Sequence, residues 1–78
     1  MRGIKFNIIQ NETDYPLTWE DQMIDFDTEE EAREFAALAN IDLSTDAYIK
    51  ESIYFYDGGY ITGTEATRLY REEYGLNG

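Results

Sequence analysis

Apolar and polar residues alternate from Gly3 to Ile9, and this period of two predicts a first β-strand. One face of that strand carries Ile4, Phe6 and Ile8, and the other carries Lys5, Asn7 and Ile9. The polar residues 11–16 then predict a turn or loop.

The next apolar segment, residues 17–26, alternates with a defect. Leu17 and Trp19 share one parity, whereas Ile24 and Phe26 share the other. One inserted residue exchanges the two faces of a strand, so we predict a second strand with a bulge near Glu20 and Asp21.

Residues 29–39 have the pattern of a helix. Thr28 followed three residues later by Glu31 is a capping box, and glutamates in the first turn favour the positive end of a helix. The apolar stripe consists of Ala32, Phe35, Ala36 and Ala39, and Asn40 is a plausible stop.

The second half repeats this order of elements without repeating its residues. A third strand is predicted from about Tyr48 to Tyr56, a hairpin turn at residues 57–59, and a short fourth strand at residues 60–62. A three-residue loop would place Tyr56 opposite Tyr60. Thr62 or Thr64 would then cap a second helix that buries Ala66, Leu69 and Tyr70 and ends at Gly75. We therefore predict a single α+β domain over residues 1–78, with an antiparallel sheet, two helices and the order ββαββα.

The predicted core combines residues from both halves. Its members are Phe6, Trp19, Phe26, Phe35, Phe55, Ile61 and Leu69.

Charge narrows the possible functions. The 78 residues hold 17 acids and 6 bases, for a net charge of −11, and twelve of the acids lie in residues 1–49 with only three bases. Such a field repels nucleic acid and anionic membranes and attracts basic surfaces. The chain has no cysteine and no long apolar run, so we expect a cytoplasmic protein without a membrane segment.

Catalysis and metal binding both have weak support. The absence of His and Cys removes the usual general base and the strongest nucleophile, and we predict no enzyme and no cofactor. The spacing of Asp25, Asp27 and Glu29 resembles the opening of a calcium loop, but Glu30 stands where that loop needs glycine and Ala36 where it needs glutamate. A capped helix start explains these acids better than a metal site.

Two surfaces remain as candidates for binding a protein. The first is acidic: solubility is its ordinary and complete explanation, and a mimic of the DNA backbone is the functional alternative. The second is a tyrosine-rich sheet face, whose ordinary interpretation is cross-strand packing. The candidate residues of both surfaces are Glu20, Asp21, Asp25, Asp27, Glu30, Glu34, Tyr54, Tyr56 and Tyr60.

In size, acidity, lack of cysteine and aromatic content the chain resembles, as a class, small acidic inhibitors encoded by phages and mobile elements. That class includes anti-restriction proteins, anti-CRISPR proteins and inhibitors of DNA-repair glycosylases. The resemblance implies a protein that covers the basic nucleic-acid-binding groove of a host enzyme in the host cytoplasm. The alternative is a small interaction module or homodimer that docks through its tyrosine face and uses its acidity for solubility only.

Overall fold

The α+β class is confirmed in a computed structural model that describes residues 4–52 and 56–75. The elements are β1 (Phe6–Gln10), β2 (Thr18–Trp19), β3 (Gln22–Asp25), α1 (Glu29–Leu38), β4 (Ala47–Glu51), β5 (Tyr60–Thr62) and α2 (Gly63–Tyr74). This order agrees with the prediction once β2 and β3 are taken as two arms of the predicted second strand.

That second strand is a hairpin and not a bulged strand. β2 and β3 pair antiparallel, with Trp19 opposite Gln22, and only Glu20 and Asp21 lie between them. Both turn residues have positive φ, 49° and 66°. A reversal of direction exchanges the parity of the apolar positions as a bulge does, which is why alternation alone did not separate the two.

The predicted hairpin between the third and fourth strands is wrong for the described residues. β4 pairs antiparallel with β1, and β5 pairs in parallel with β3, so that Tyr60 lies opposite Met23 and not opposite Tyr56. β4 also ends at Glu51, and residues 53–55, including the predicted core residue Phe55, lie outside the described part of the chain. Local turn residues at 57–59 could not reveal that each strand has a better partner elsewhere in the chain.

The strands form a two-stranded sheet, β1-β4, and a three-stranded sheet, β2-β3-β5, and β1 connects the two. Phe6 and Phe26 exchange two backbone hydrogen bonds, and the Leu17 amide donates to the Ile8 carbonyl at 2.7 Å. The side chain of Asn7 completes the junction: its amide nitrogen donates to the Ile24 carbonyl at 2.8 Å and to Asp25 Oδ1 at 2.9 Å. The faces that carry Asn7 on β1 and Asp25 on β3 therefore meet on one side of the structure.

Both helices pack on the opposite side. The core between helices and strands consists of Ile8, Ile24, Phe26, Ala32, Phe35, Ala36, Ala47 and Ala66. Of the predicted core, Phe26 and Phe35 are buried, whereas Phe6, Trp19, Ile61 and Leu69 are half-buried. Tyr70 contributes more to the core than Leu69, because its ring lies 5.5 Å from that of Phe35.

The helix ends follow the predicted chemistry. Thr28 Oγ1 accepts from the Glu31 amide, and Thr62, not Thr64, caps α2 by accepting from the Glu65 amide. Gly75 ends α2 in the left-handed conformation, with φ of 66° and its amide donating to the Arg71 carbonyl. Neither helix is long and apolar enough to span a membrane within residues 4–52 and 56–75.

Candidate functional site

The hairpin turn between β2 and β3 presents two carboxylates at its tip. Glu20 and Asp21 are both exposed. The loop before β5 packs against the turn. The Met23 amide donates to the Gly59 carbonyl at 2.9 Å, and Gly58 lies so close that a Cβ there would be 2.2 Å from the Asp21 carbonyl oxygen. The turn is thus anchored by backbone contacts while its side chains face solvent.

A groove of about 260 Å³ lies between this turn and α2. We call it the tryptophan groove, and it is lined by Trp19, Glu20, Leu69, Glu72 and Glu73. The indole of Trp19 packs against Tyr70 with ring centroids 5.8 Å apart, which holds one wall in place. The groove combines apolar area from two side chains with three carboxylates.

A cation already lies near one of these carboxylates. Arg68 forms ion pairs with Glu65, at 2.7 Å, and with Glu72. The hydrogen bond from Arg68 holds the pKa of the Glu65 carboxyl below its usual value, and the same contacts raise the pKa of Arg68. Glu20 and Glu73, by contrast, form no ion pair within the described ranges, so the groove keeps an excess of negative charge.

The start of α1 presents a second acidic group. Glu29 pairs with Arg33 at 2.8 Å, one helical turn later. Glu30 and Glu34 lie one turn apart from each other and are exposed, and neither has an ion-pair partner in the part of the chain that the structure describes. Arg71 of α2 lines the same cavity as Glu31 and Glu34, so Glu30 is the acid of this pair that lies away from a cationic side chain of that cavity.

Glu31 differs from its neighbours. Its backbone completes the cap with Thr28, but its side chain does not take the position expected for a reciprocal capping box: Oε1 is buried, has no hydrogen-bond partner among the described residues, and approaches Gly63 closely. The carboxylate thus lies at the first residue of α2, where the positive end of that helix favours a negative charge. We infer that it helps to dock α1 on α2.

Two of the predicted contact residues have structural partners. Asp25 is half-buried and accepts from Asn7 Nδ2 at 2.9 Å and from Ser52 Oγ at 3.4 Å. Asp27 is exposed but forms an ion pair with Lys5. We therefore remove Asp25 from the candidate surface, and Asp27 contributes little net charge to it.

Tyr48 and Tyr60 lie on the face turned away from the helices. Tyr48 is paired opposite the fully buried Ile9, and Tyr60 opposite the fully buried Met23. Tyr60 is 44% exposed, and its hydroxyl accepts from the Tyr56 amide at 3.0 Å. Tyr56 itself is half-buried and lies outside any strand, and Tyr54 lies outside the described residues.

The predicted acids therefore form two separate groups and not one patch. Glu20 and Asp21 lie at the hairpin tip beside the end of α2, and Glu30 and Glu34 lie on α1. The sequence analysis did not identify Glu72 and Glu73 as neighbours of the hairpin acids. Their spacing from Leu69 could have indicated it, because residues three and four positions after Leu69 lie on the same side of a helix as Leu69.

The chemistry available at these groups is ionic recognition. No cluster of three or more carboxylates with metal-binding geometry occurs within residues 4–52 and 56–75. Comparison with known protein families, with curated proteins and with solved structures gave no match.

Proposed function

We propose that this protein is a non-enzymatic inhibitor, of the anti-restriction or anti-CRISPR type encoded by phages and mobile elements. Its acidic surface would cover the basic nucleic-acid-binding groove of a host defence or DNA-handling enzyme. The proposed contact residues are four exposed acids of the hairpin tip and α1 that form no ion pair among the described residues, Glu20, Asp21, Glu30 and Glu34, with Glu72 and Glu73 beside the hairpin tip.

The observation that carries this proposal is the division of the acids by structural role. Asp25 accepts hydrogen bonds within the fold, Glu31 Oε1 is buried near Gly63, and Asp27 and Glu29 have cationic partners. Glu20, Glu30 and Glu34 have neither, and they add repulsion to a chain that already carries a net charge of −11. Exposed charges that do not stabilise the fold are available for a partner.

A basic groove is the partner that this charge distribution favours. Carboxylates spread over a turn and a helix present negative charge over an extended surface, as a phosphate backbone does. Lys and Arg of the enzyme would exchange their counterions for these carboxylates, which makes binding fall steeply with salt. The same field opposes direct binding of DNA or RNA to this chain.

The test is a panel of purified restriction endonucleases, CRISPR effectors and DNA-repair glycosylases, each assayed for DNA binding and cleavage with and without this protein. An inhibited enzyme should be protected by excess duplex DNA, and inhibition should weaken steeply between low and physiological salt. Inhibition that neither DNA nor salt relieves would contradict the groove-covering mechanism.

A matched pair of variants sharpens this test. Glu30→Lys/Glu34→Lys reverses two proposed contact charges, whereas Glu12→Lys/Glu51→Lys makes the same change in net charge at two exposed acids outside the proposed surface. The first variant should lose inhibition, and the second should keep most of it. Equal loss in both would mean that net charge alone, and not a surface, governs the effect.

A second candidate is an interaction module that docks through the tyrosine face. The observation in its favour is that Tyr48 and Tyr60 are 37% and 44% exposed on the side that the helices leave uncovered. Tyr supplies large, rigid contact area with a polar tip. Under this alternative Tyr60→Ala should abolish binding to the partner, and the salt dependence should be shallow.

A further inference from the structure

We infer that the tryptophan groove is the receptor for one arginine side chain of the protein partner. The inference rests on the proposed function, since it names the residue type through which a basic groove would engage the hairpin end of this chain. We choose arginine because the lining of the groove combines the Trp19 ring, the apolar side chain of Leu69 and carboxylates.

The apolar part of the groove suits the stem of a long side chain. Trp19 and Leu69 line it from β2 and from α2, and both are only half-buried by the chain itself. A tryptophan ring attracts a cation more strongly than other aromatic rings do. Arginine adds a planar group that stacks on rings, and it is more weakly hydrated than lysine.

The polar part of the groove supplies the charge complement. Glu20 comes from the hairpin turn and Glu73 from the last turn of α2, so carboxylates approach the groove from both sides. Arg68 shares its charge between Glu65 and Glu72, and Glu20 and Glu73 form no ion pair among the described residues. A guanidinium has five donors in a planar fork and can pair with two carboxylates at once, whereas an ammonium is a single point charge.

The chain contains one tryptophan, so its single indole N–H resonance reports directly on the groove. The experiment is an NMR titration of the labelled full chain, at constant ionic strength, with three short peptides of the form Gly-X-Gly in which X is arginine, lysine or citrulline. The arginine peptide should shift the indole signal and the Leu69 methyl signals saturably. The lysine peptide should bind several-fold more weakly, and the neutral citrulline peptide should give no saturable shift.

Variants locate the site. Glu20→Gln and Glu73→Gln should each weaken arginine binding by roughly two- to five-fold, which is the range for exposed ion pairs. Glu51→Gln removes the same charge from the edge strand β4 and serves as the matched control. Its effect should be much smaller, because salt screens charges over roughly 10 Å.

Several results would overturn the inference. These are the absence of a shift at the indole, equal binding of the citrulline or lysine peptide, and an equal effect of Glu51→Gln. Failure of this inference is distinguishable from failure of the proposed function. Enzyme inhibition that survives Glu20→Gln/Glu73→Gln would support the proposed function and contradict the arginine site. Arginine binding without inhibition of any enzyme in the panel would support the arginine site and contradict the proposed function.

Discussion

The turn at Glu20 and Asp21 should be a weak point that a two-residue change repairs. Both residues have positive φ, 49° and 66°, in a two-residue hairpin. Turns of this kind favour Asn-Gly, because asparagine tolerates the left-handed region and glycine has no Cβ to clash there. We predict that Glu20→Asn/Asp21→Gly stabilises the fold.

The size of the effect follows from the backbone. The left-handed conformation costs about 1–2 kcal/mol for an ordinary residue. Glycine avoids this strain, but it loses roughly 0.5–1 kcal/mol of the gain because its unfolded chain has more conformational entropy. For two residues the net gain should be about 1–2 kcal/mol, and in a domain of this size each kcal/mol raises Tm by roughly 4–8 °C. Losing two charges from a chain of net charge −11 adds a smaller gain.

The assay is reversible thermal and urea unfolding followed by circular dichroism and by the fluorescence of Trp19, which precedes the turn. The control variant Glu20→Gln/Asp21→Ala removes the same two charges but keeps a Cβ in the left-handed region at both positions. If control and test variant melt at the same temperature, the gain is due to charge alone and the strain argument is refuted. If the proposed function holds, the stabilised variant should also inhibit less, because it lacks two contact acids.

Three further predictions concern the core, the helix contact and acid stability. Phe35→Ala should lower the free energy of unfolding in urea by ~3–5 kcal/mol, because Phe35 is 3% exposed and contacts the rings of Phe26 and Tyr70. Leu69→Ala should cost clearly less, because Leu69 is half-buried. Equal costs would contradict the core described above. Gly63→Ala should lower stability by about 1–3 kcal/mol, since a Cβ there would lie 2.3 Å from the Phe26 ring and 2.4 Å from Glu31 Oε1; an unchanged Tm would mean that the α1–α2 contact is loose. Hydrogen bonds from Ser44 hold the pKa of the Asp42 carboxyl below its usual value, so their contribution is present above the unfolded pKa and is lost as pH falls through the lower folded pKa. Ser44→Ala should therefore flatten the fall in Tm below about pH 4, and a parallel curve for both proteins would exclude this contribution.

Local chemistry made the helices predictable. Thr28, Thr62 and Gly75 act through hydrogen bonds and backbone conformations within a few residues, and all three have the predicted roles. The cap at Thr28 and the apolar stripe around Phe35 place α1 within one residue of its observed end. The exception is the Glu31 side chain, which lies near Gly63 of α2 and does not complete the predicted capping box.

Strand pairing was less predictable because it is decided at long range. Asp57-Gly58-Gly59 is a good turn sequence, yet Tyr60 pairs with Met23, because β3 offers a buried partner strand. At Glu20 and Asp21 the sequence analysis missed a hairpin, because the turn there lacks the Gly or Asn that usually indicates one. A turn that departs from its preferred residues leaves no local signal.

The candidate site was predictable in residue type but not in arrangement. The acids Glu20 and Glu30 are recognisable as exposed from sequence, but only the fold brings the hairpin tip beside the end of α2. The same holds for the buried Asn7, which has a structural role. Alternation places Asn7 on the second face of β1, but no nearby residue indicates that it joins the two sheets through the Ile24 carbonyl.

The dimensions of the fold decide whether the two acidic groups serve one partner. A helix of twelve residues such as α2 is about 18 Å long; Leu69, Glu72 and Glu73 lie beside the hairpin tip, while Thr64, Thr67 and Arg71 lie beside α1. A partner of standard size covers ~800 Å², a patch about 30 Å across, which is roughly one seventh of the 5303 Å² surface of this chain. One enzyme groove could therefore contact both groups at once. The two groups share no ion pair among the described residues, so charge reversal at the hairpin and at α1 should weaken inhibition additively in free energy. If reversal at one end abolishes the response to reversal at the other, the two groups do not act as parallel contacts of one interface.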